Sequence, residues 1–459
     1  MPVNDASASP AAPGKARLLS WQRITTPSAV LIATTAGSNV LRIANTMVLT
    51  RLLAPSDFGL VGMITSVFFV MALLTDVGFQ VFIVRHERGD EPHFLNAVWS
   101  VHITRGVINA AILILLSEPI ALLLDKPRLA PLLAVASLTI AIDGTASLTL
   151  LTALRRGLVR RLSMVDLGAF ITQIVIGVIA CAIFRNAWGI IVAMLASSAV
   201  KSAASYALFP ESRRRFGFDR AVTSELWAFS RTIALSSMLT LLLAQVDKLV
   251  LARLFTLSQF GIYAIASTLA IAPAGIVGLY VPRIVYPQIA RAWREHPSSI
   301  RSAYYGARGI IFYGYLIAAG GMIGCGPLVM RILYDPRYAN AGGGIYLQWL
   351  AVAAATQMIA RYMQDALIAV GRQRATLLMN VARVIWLAIG GTIGFVQFGP
   401  IGLVATLGLI EVPAYFYGAW VLRRIDILSI RRELLSIATI VLGAAAGFVL
   451  DFATLAVFH

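Results

Sequence analysis

Residues 45–67 read NTMVLTRLLAPSDFGLVGMITSV, and residues 247–269 read DKLVLARLFTLSQFGIYAIASTL. The second stretch lies on the first without a gap, at an offset of 247 − 45 = 202 residues. Val48/Val250, Leu49/Leu251, Arg51/Arg253, Leu52/Leu254, Ser56/Ser258, Phe58/Phe260 and Gly59/Gly261 are identical pairs. Leu and Val coincide freely in apolar helices, but Arg, Ser, Phe and Gly in register across a turn do not. Each stretch joins the end of one apolar run to the start of the next, so the chain contains two copies of one helix–turn–helix unit.

The apolar runs are membrane crossings. A hydrocarbon core about 30 Å thick needs about 20 apolar residues per helical crossing. We place crossings at 28–50, 58–84, 97–124, 130–153, 164–184 and 186–209, then at 226–252, 258–283, 302–325, 343–370, 376–397 and 401–422, with a further apolar run at 434–458. Turn chemistry such as Ala54-Pro55-Ser56-Asp57, Asp335-Pro336-Arg337 and Gly399-Pro400 separates them. Of 459 residues 59% are hydrophobic and 13% are charged, about half the charged share of a soluble domain.

Six crossings separate the two copies, an even number, so both halves run the same way through the bilayer. The predicted fold class is therefore all-α integral membrane: two pseudo-symmetric six-helix bundles related as a parallel repeat, plus one extra C-terminal helix. The expected organisation is a disordered cytoplasmic tail over 1–24, rich in Ala, Ser and Pro and without a secretory-signal pattern. An N-terminal bundle over 25–210 follows, then a linker at 211–225, a C-terminal bundle over 226–425 and the additional helix over 432–459. Cys181 and Cys325 fall inside crossings as small packing residues.

Lys and Arg favour cytoplasmic loops. With the N-terminus inside, the tail and the even-numbered loops hold 23 of the 38 basic residues and the opposite loops hold seven. That asymmetry predicts a cytoplasmic N-terminus and accounts for most of the net charge of +17. The bases form short clusters between crossings with no aromatic platform among them, so nucleic acid is not an expected partner.

Ionisable groups at bilayer depth usually face a cavity or a pathway. Arg42 and Arg361 lie deepest in their crossings, while Arg231, Arg308 and Arg383 lie roughly 10 Å from the inner ends of theirs. Such arginines can also snorkel to the interface. Arg361 and Asp365 are spaced i, i+4 and can pair along one helix face. Asp76 is a second intramembrane carboxylate that can pair or couple to an ion. Lys248 next to Asp247 reads as an interfacial pair, and Arg51 and Arg253 read as caps on the turns that follow them.

Arg51-Leu52-Leu53-Ala54-Pro55-Ser56-Asp57-Phe58-Gly59, followed by Thr75-Asp76-Val77-Gly78-Phe79, resembles the polysaccharide transporter family. These are the Wzx-like oligosaccharide flippases of the multidrug/oligosaccharidyl-lipid/polysaccharide superfamily. Residues 247–254, 286–291 and 366–372 add to the likeness, which runs from about residue 25 to 425. The resemblance implies a V-shaped arrangement of the bundles in a bacterial inner membrane. It implies flipping of undecaprenyl-diphosphate-linked saccharide units, precursors of exopolysaccharide, O-antigen or capsule, from the cytoplasmic to the periplasmic leaflet. Membrane lipids and other assembly proteins, such as a polymerase and a chain-length regulator, are implied partners. Many relatives have 14 helices, and this chain has length for one crossing after the twelfth.

A diphosphate lipid needs a basic chamber, and the planar fork of Arg pairs with phosphate oxygens. Arg42, Arg361, Arg231, Arg308 and Arg383 are the candidates for that chamber. The chain has no G-x-x-x-x-G-K-[ST] phosphate loop, and its five histidines lack metal-ligand spacing. We therefore expect a secondary or downhill transporter with no ATPase, metal or cofactor. Two alternatives stay open: a multidrug/cation antiporter of the same superfamily, whose cavity should be net acidic, and a membrane polysaccharide polymerase or ligase, which needs a large outward loop that this sequence does not supply.

Overall fold

The computed structural model describes residues 27–75, 78–79, 82–83, 86–89, 91–155, 158–209, 215–274 and 285–458, without the side chains of 27–36, 73, 154–155, 159, 231–247, 297 and 457–458. The expected tail over 1–24 lies outside them. The described residues build an all-α membrane protein. The first half contains α1 (Pro27–Leu52), α2 (Pro55–Leu74), α3 (Pro92–Leu123), α4 (Leu129–Ala136), α5 (Leu138–Gly144), α6 (Thr149–Arg155), α7 (Val159–Phe184) and α8 (Trp188–Ala207). The second contains α9 (Arg220–Leu254), α10 (Leu257–Ile271), α11 (Tyr286–Glu295), α12 (Ile300–Gly306), α13 (Ile310–Leu333), α14 (Gly344–Ala369), α15 (Gln373–Gly408), α16 (Glu411–Arg424) and the final α17 (Ile430–Phe458).

Among the described residues, seven helical stretches are long and apolar enough to cross a membrane; one of them, Gln373–Arg424, runs through the kink at Gly399. There φ is +62°, a left-handed conformation open to glycine, and Pro400 follows. Large apolar side chains exposed along these helices, such as Leu115, Ile183, Val396 and Phe452, are the lipid-facing surface.

The repeat is visible down to its caps. Thr256 accepts from the Gln259 backbone N–H while the Gln259 side chain accepts from the Thr256 N–H, at 3.2 and 3.0 Å. This is a capping box, which satisfies two orphan donors of a helix start. In the first copy the Asp57 carboxylate, 202 residues upstream of Gln259, accepts from the Ala54 N–H at 3.2 Å. Its other oxygen accepts from the Ala187 N–H, also at 3.2 Å, and so ties the α1–α2 turn to the start of α8.

The two copies meet each other. A Cβ added at Gly59 would sit 2.0 Å from the Leu257 carbonyl oxygen, and one added at Gly261 would sit 1.9 Å from that of Pro55. Since 59 + 202 = 261 and 55 + 202 = 257, these are the two halves of one twofold-related contact. Only glycine allows backbones this close. Around it the Tyr338 hydroxyl donates to the Leu53 carbonyl at 3.0 Å and Arg337 donates to that of Thr50 at 3.2 Å. The Phe58 ring meets Tyr338 edge-on at 5.8 Å, and Arg253 pairs with Asp125 at 3.7 Å. One face of the molecule is thereby a tight junction between the halves.

The final helix packs on α13 through glycines. A Cβ at Gly320 would lie 2.3 Å from the Ile440 carbonyl, and one at Gly443 would lie 2.5 Å from that of Ile317. Arg331 and Asp451 close the contact at 2.8 Å.

The structure corrects the expected crossings at several points, two of them at breaks in the helices. The run 130–153 is not one helix: α5 ends at Gly144, α6 starts at Thr149, and 145–148 are unwound. The crossing placed at 302–325 starts eight residues later, at Ile310, because the chain turns at Ala307–Gly309. Apolarity alone carried the sequence reading across both breaks.

Candidate functional site

Beyond the glycine junction lie two adjoining cavities, one of about 360 Å³ between the halves and one of about 580 Å³ within the second half, which share Lys248, Tyr263, Ser267 and Ile271 as a common wall. The smaller is lined from the first half by Asn39 and Arg42 of α1 and by Gly62, Thr65 and Ser66 of α2. The larger is lined by Gln357, Arg361 and Gln364 of α14, Asn380 and Arg383 of α15, and Glu411 of α16. Asn39 donates to the Ala272 carbonyl at 3.2 Å, joining α1 to the end of α10 beside the chamber.

Four cations line this chamber: Arg42, Lys248, Arg361 and Arg383. One carboxylate, Glu411, lines it with them. Glu411 is 4% exposed and is held by Arg383, whose Nη2 and Nε reach one of its oxygens at 2.7 and 2.9 Å. Arg383 also donates to Asn380. Its charge is thus spent within the wall. Among the described residues Arg42, Lys248 and Arg361 make no ion pair, and they leave the chamber with an excess of three positive charges. Arg42 and Arg361 are exposed and Lys248 is half-buried, so their charged groups are open to an anion that enters the cavities.

The structure therefore brings together three of the expected arginines, Arg42, Arg361 and Arg383. Arg308 lies elsewhere. It is 3% exposed, absent from the chamber lining and paired with Glu433 of α17 at 2.9 Å. It also donates to Ser436 at 3.2 Å, and its guanidinium lies over the rings of Tyr304, Tyr305 and Phe312 at 4.7–5.0 Å. Arg308 fastens the final helix to the second half, and the reason is the late start of α13, which leaves it in the bend before the helix. The Arg231 side chain and Asp76 lie outside the described residues. Arg361 and Asp365 share a helix face without meeting as an ion pair, and the Asp365 Oδ2 is buried without a hydrogen-bond partner.

Sequence reasoning missed Lys248, which it read as interfacial. The signal was present in the repeat: Lys248 is the counterpart of Thr46, one helical turn beyond Arg42, and so falls on the corresponding wall of the second half.

The family model described as "Polysaccharide biosynthesis protein" matches residues 48–341, well over half of the chain and spanning both copies of the repeat. The chain belongs to the polysaccharide biosynthesis protein family. Among curated relatives, the succinoglycan biosynthesis transport protein ExoT of Rhizobium meliloti (strain 1021) is 25% identical over 264 residues, 56% of this chain and 52% of that protein. The chain spans about half the length of this relative in the match. Among solved structures, the lipid II flippase MurJ in an inward closed conformation aligns with a TM-score of 0.67 at 12% identity, over 92% of each chain. An inward-facing multidrug resistance MATE family transporter of the MOP superfamily aligns with a TM-score of 0.61 at 15% identity, over 85% of this chain and 94% of that one. At such identities the likeness shows the fold alone, and the fold is the one these two structures share.

Proposed function

We propose that the protein flips undecaprenyl-diphosphate-linked oligosaccharide units from the cytoplasmic to the periplasmic leaflet of the bacterial inner membrane by alternating access. The observation that carries this reading is the positive charge of Arg42, Lys248 and Arg361, which line two adjoining cavities, one between the halves and one within the second, without an ion pair among the described residues. Two phosphates leaving water need donors and counter-charge, and forked guanidinium groups supply both. A multidrug cation would be repelled from the same walls, so the antiporter alternative loses support. The distribution of basic loops supports an orientation with the glycine junction on the periplasmic side, in which this conformation is the one closed towards the periplasm. Family membership supports a partner in polysaccharide assembly.

The test is export of the cell's polysaccharide in a strain depleted of the native protein and supplied with variants at matched membrane abundance. Arg42→Ala and Arg361→Ala should each lower export about tenfold or more, because a lost charge-assisted bond is worth about 1.5–3 kcal/mol. Arg42→Lys should fall between wild type and alanine. Arg213→Ala, which removes an equal charge from the linker expected at 211–225, should export normally. Normal export by both arginine-to-alanine variants would refute the reading.

A further inference from the structure

The two halves differ in one connection. Between Leu74 of α2 and Pro92 of α3 lie 17 residues (75–91), and between Ile271 of α10 and Ile310 of α13 lie 38 (272–309). The repeat does not call for the additional length, and part of it is the ten-residue helix α11, Tyr286–Glu295, with the sequence YPQIARAWRE. At about 3.6 residues per turn, Ile289, Trp293, Tyr286 and Ala290 fall on one side of α11. Arg294, Arg291, Glu295 and Gln288 fall on the other.

Only part of the apolar side is used by the fold. Val285 and Ile289 are fully buried in a core with Tyr362, Met363, Ala366 and Leu367 of α14. Tyr286 and Trp293 stay 37% and 36% exposed. The 26 residues of α14 span about 39 Å at 1.5 Å each, more than a hydrocarbon core of about 30 Å. Its last turns therefore reach the headgroup region, and α11 packs against them. The arginines at this level are unspent. Arg291 is exposed and makes no hydrogen bond or ion pair with its side chain among the described residues. Arg294 donates only its Nε, to the Ala290 carbonyl at 3.3 Å. Arg372 and Arg374, in the turn that ends α14, are exposed and make no ion pair among the described residues. By contrast Arg88, in the shorter connection of the first half, is held by Glu225 at 3.7 Å, and Arg301 is held by Asp426 at 3.5 Å.

We infer that α11 lies in the membrane interface and binds anionic phospholipid headgroups of the cytoplasmic leaflet. Trp and Tyr settle at headgroup level, and a short helix with an apolar side and a basic side lies in the interface plane. Arg291 and Arg294, spaced i, i+3, are neighbours on the helix surface and can donate to one phosphate. An anionic leaflet supplies the counter-charge that the protein withholds. The inference rests on the orientation that the basic loops support and does not need the flippase reading.

The experiment places a nitroxide at Ala290→Cys, or at Gln288→Cys on the opposite side, in the full chain carrying Cys181→Ala and Cys325→Ala. The chain is reconstituted in vesicles of phosphatidylcholine, with or without phosphatidylglycerol, and collisions with oxygen and with a water-soluble nickel chelate are compared. With phosphatidylglycerol the label at 290 should meet oxygen more than the chelate, and the label at 288 the chelate more than oxygen. Arg291→Gln with Arg294→Gln should abolish the response to phosphatidylglycerol, while Arg291→Lys with Arg294→Lys should keep most of it. Chelate-exposed labels at both positions in both vesicles would leave the face to a soluble partner and overturn the proposal. Immersion that is the same in both vesicles, or that survives the glutamine pair unchanged, would overturn it as well. No saccharide lipid is present, so the outcome stands apart from export by Arg42→Ala.

Discussion

Arg42 and Arg308 are the same residue type in two opposite situations. Arg308 is wrapped by Glu433, Ser436 and three aromatic rings, and removing it strands a buried carboxylate. Breaking one partner of such a pair costs about 3–5 kcal/mol, whereas replacing both by apolar groups of similar volume is often neutral. Arg308→Ala should therefore lower the thermal midpoint and the membrane abundance of the protein, and Arg308→Met with Glu433→Leu should recover most of the loss. Arg42→Ala should leave the thermal midpoint near wild type while reducing transport. A midpoint that drops equally for Arg42→Ala would mean that Arg42 too is a structural residue. The sequence placed both arginines at membrane depth and could not separate them, because depth follows from apolarity whereas a partner 125 residues away in the chain does not. The excess of basic over acidic groups in the chamber was legible; the pairing of Arg383 with Glu411 was not, since it needs the angle between α15 and α16.

At the scale of elements the junction is the part with the clearest sequence signature. Gly59 and Gly261 coincide in the sequence repeat and meet across the junction, and the caps at Asp57 and Gln259 repeat the same symmetry. Gly261→Ala puts a Cβ against the Pro55 carbonyl and must push the halves apart. Spin labels at Lys126 and Thr256 should then report a longer and broader distance than in wild type, and an unchanged distribution would show that the junction does not depend on this contact. Tyr338→Phe, which removes the donor to Leu53, should loosen the junction less, by about 0.5–1.5 kcal/mol. In the turn beside it, the hydrogen bond from Arg337 holds the Asp335 carboxyl below the usual carboxylate range. A depressed folded value contributes above the ordinary range and is lost as pH falls through it. The label distance should therefore stay constant between about pH 7 and 5 and respond only in stronger acid. The break at 145–148 left no such mark, because Thr145, Ala146, Ser147 and Leu148 are compatible with a helix; tertiary hydrogen bonds to Ser202, Ser205 and Tyr206 unwind them.

At the scale of the whole molecule, the two halves share one closed face, cationic side chains line the adjoining cavities beyond it, and the account stands on what those cavities hold. The most direct measurement is binding of undecaprenyl diphosphate to the purified full chain in lipid nanodiscs, compared among wild type, Arg42→Ala, Arg361→Ala and the variant lacking Arg42, Lys248 and Arg361 together. With about 1.5–3 kcal/mol at stake per charge-assisted bond, each single variant should bind about tenfold more weakly or worse, and the triple variant should lose measurable binding while staying folded. Undecaprenyl diphosphate bound by the folded triple variant as tightly as by wild type would contradict the account.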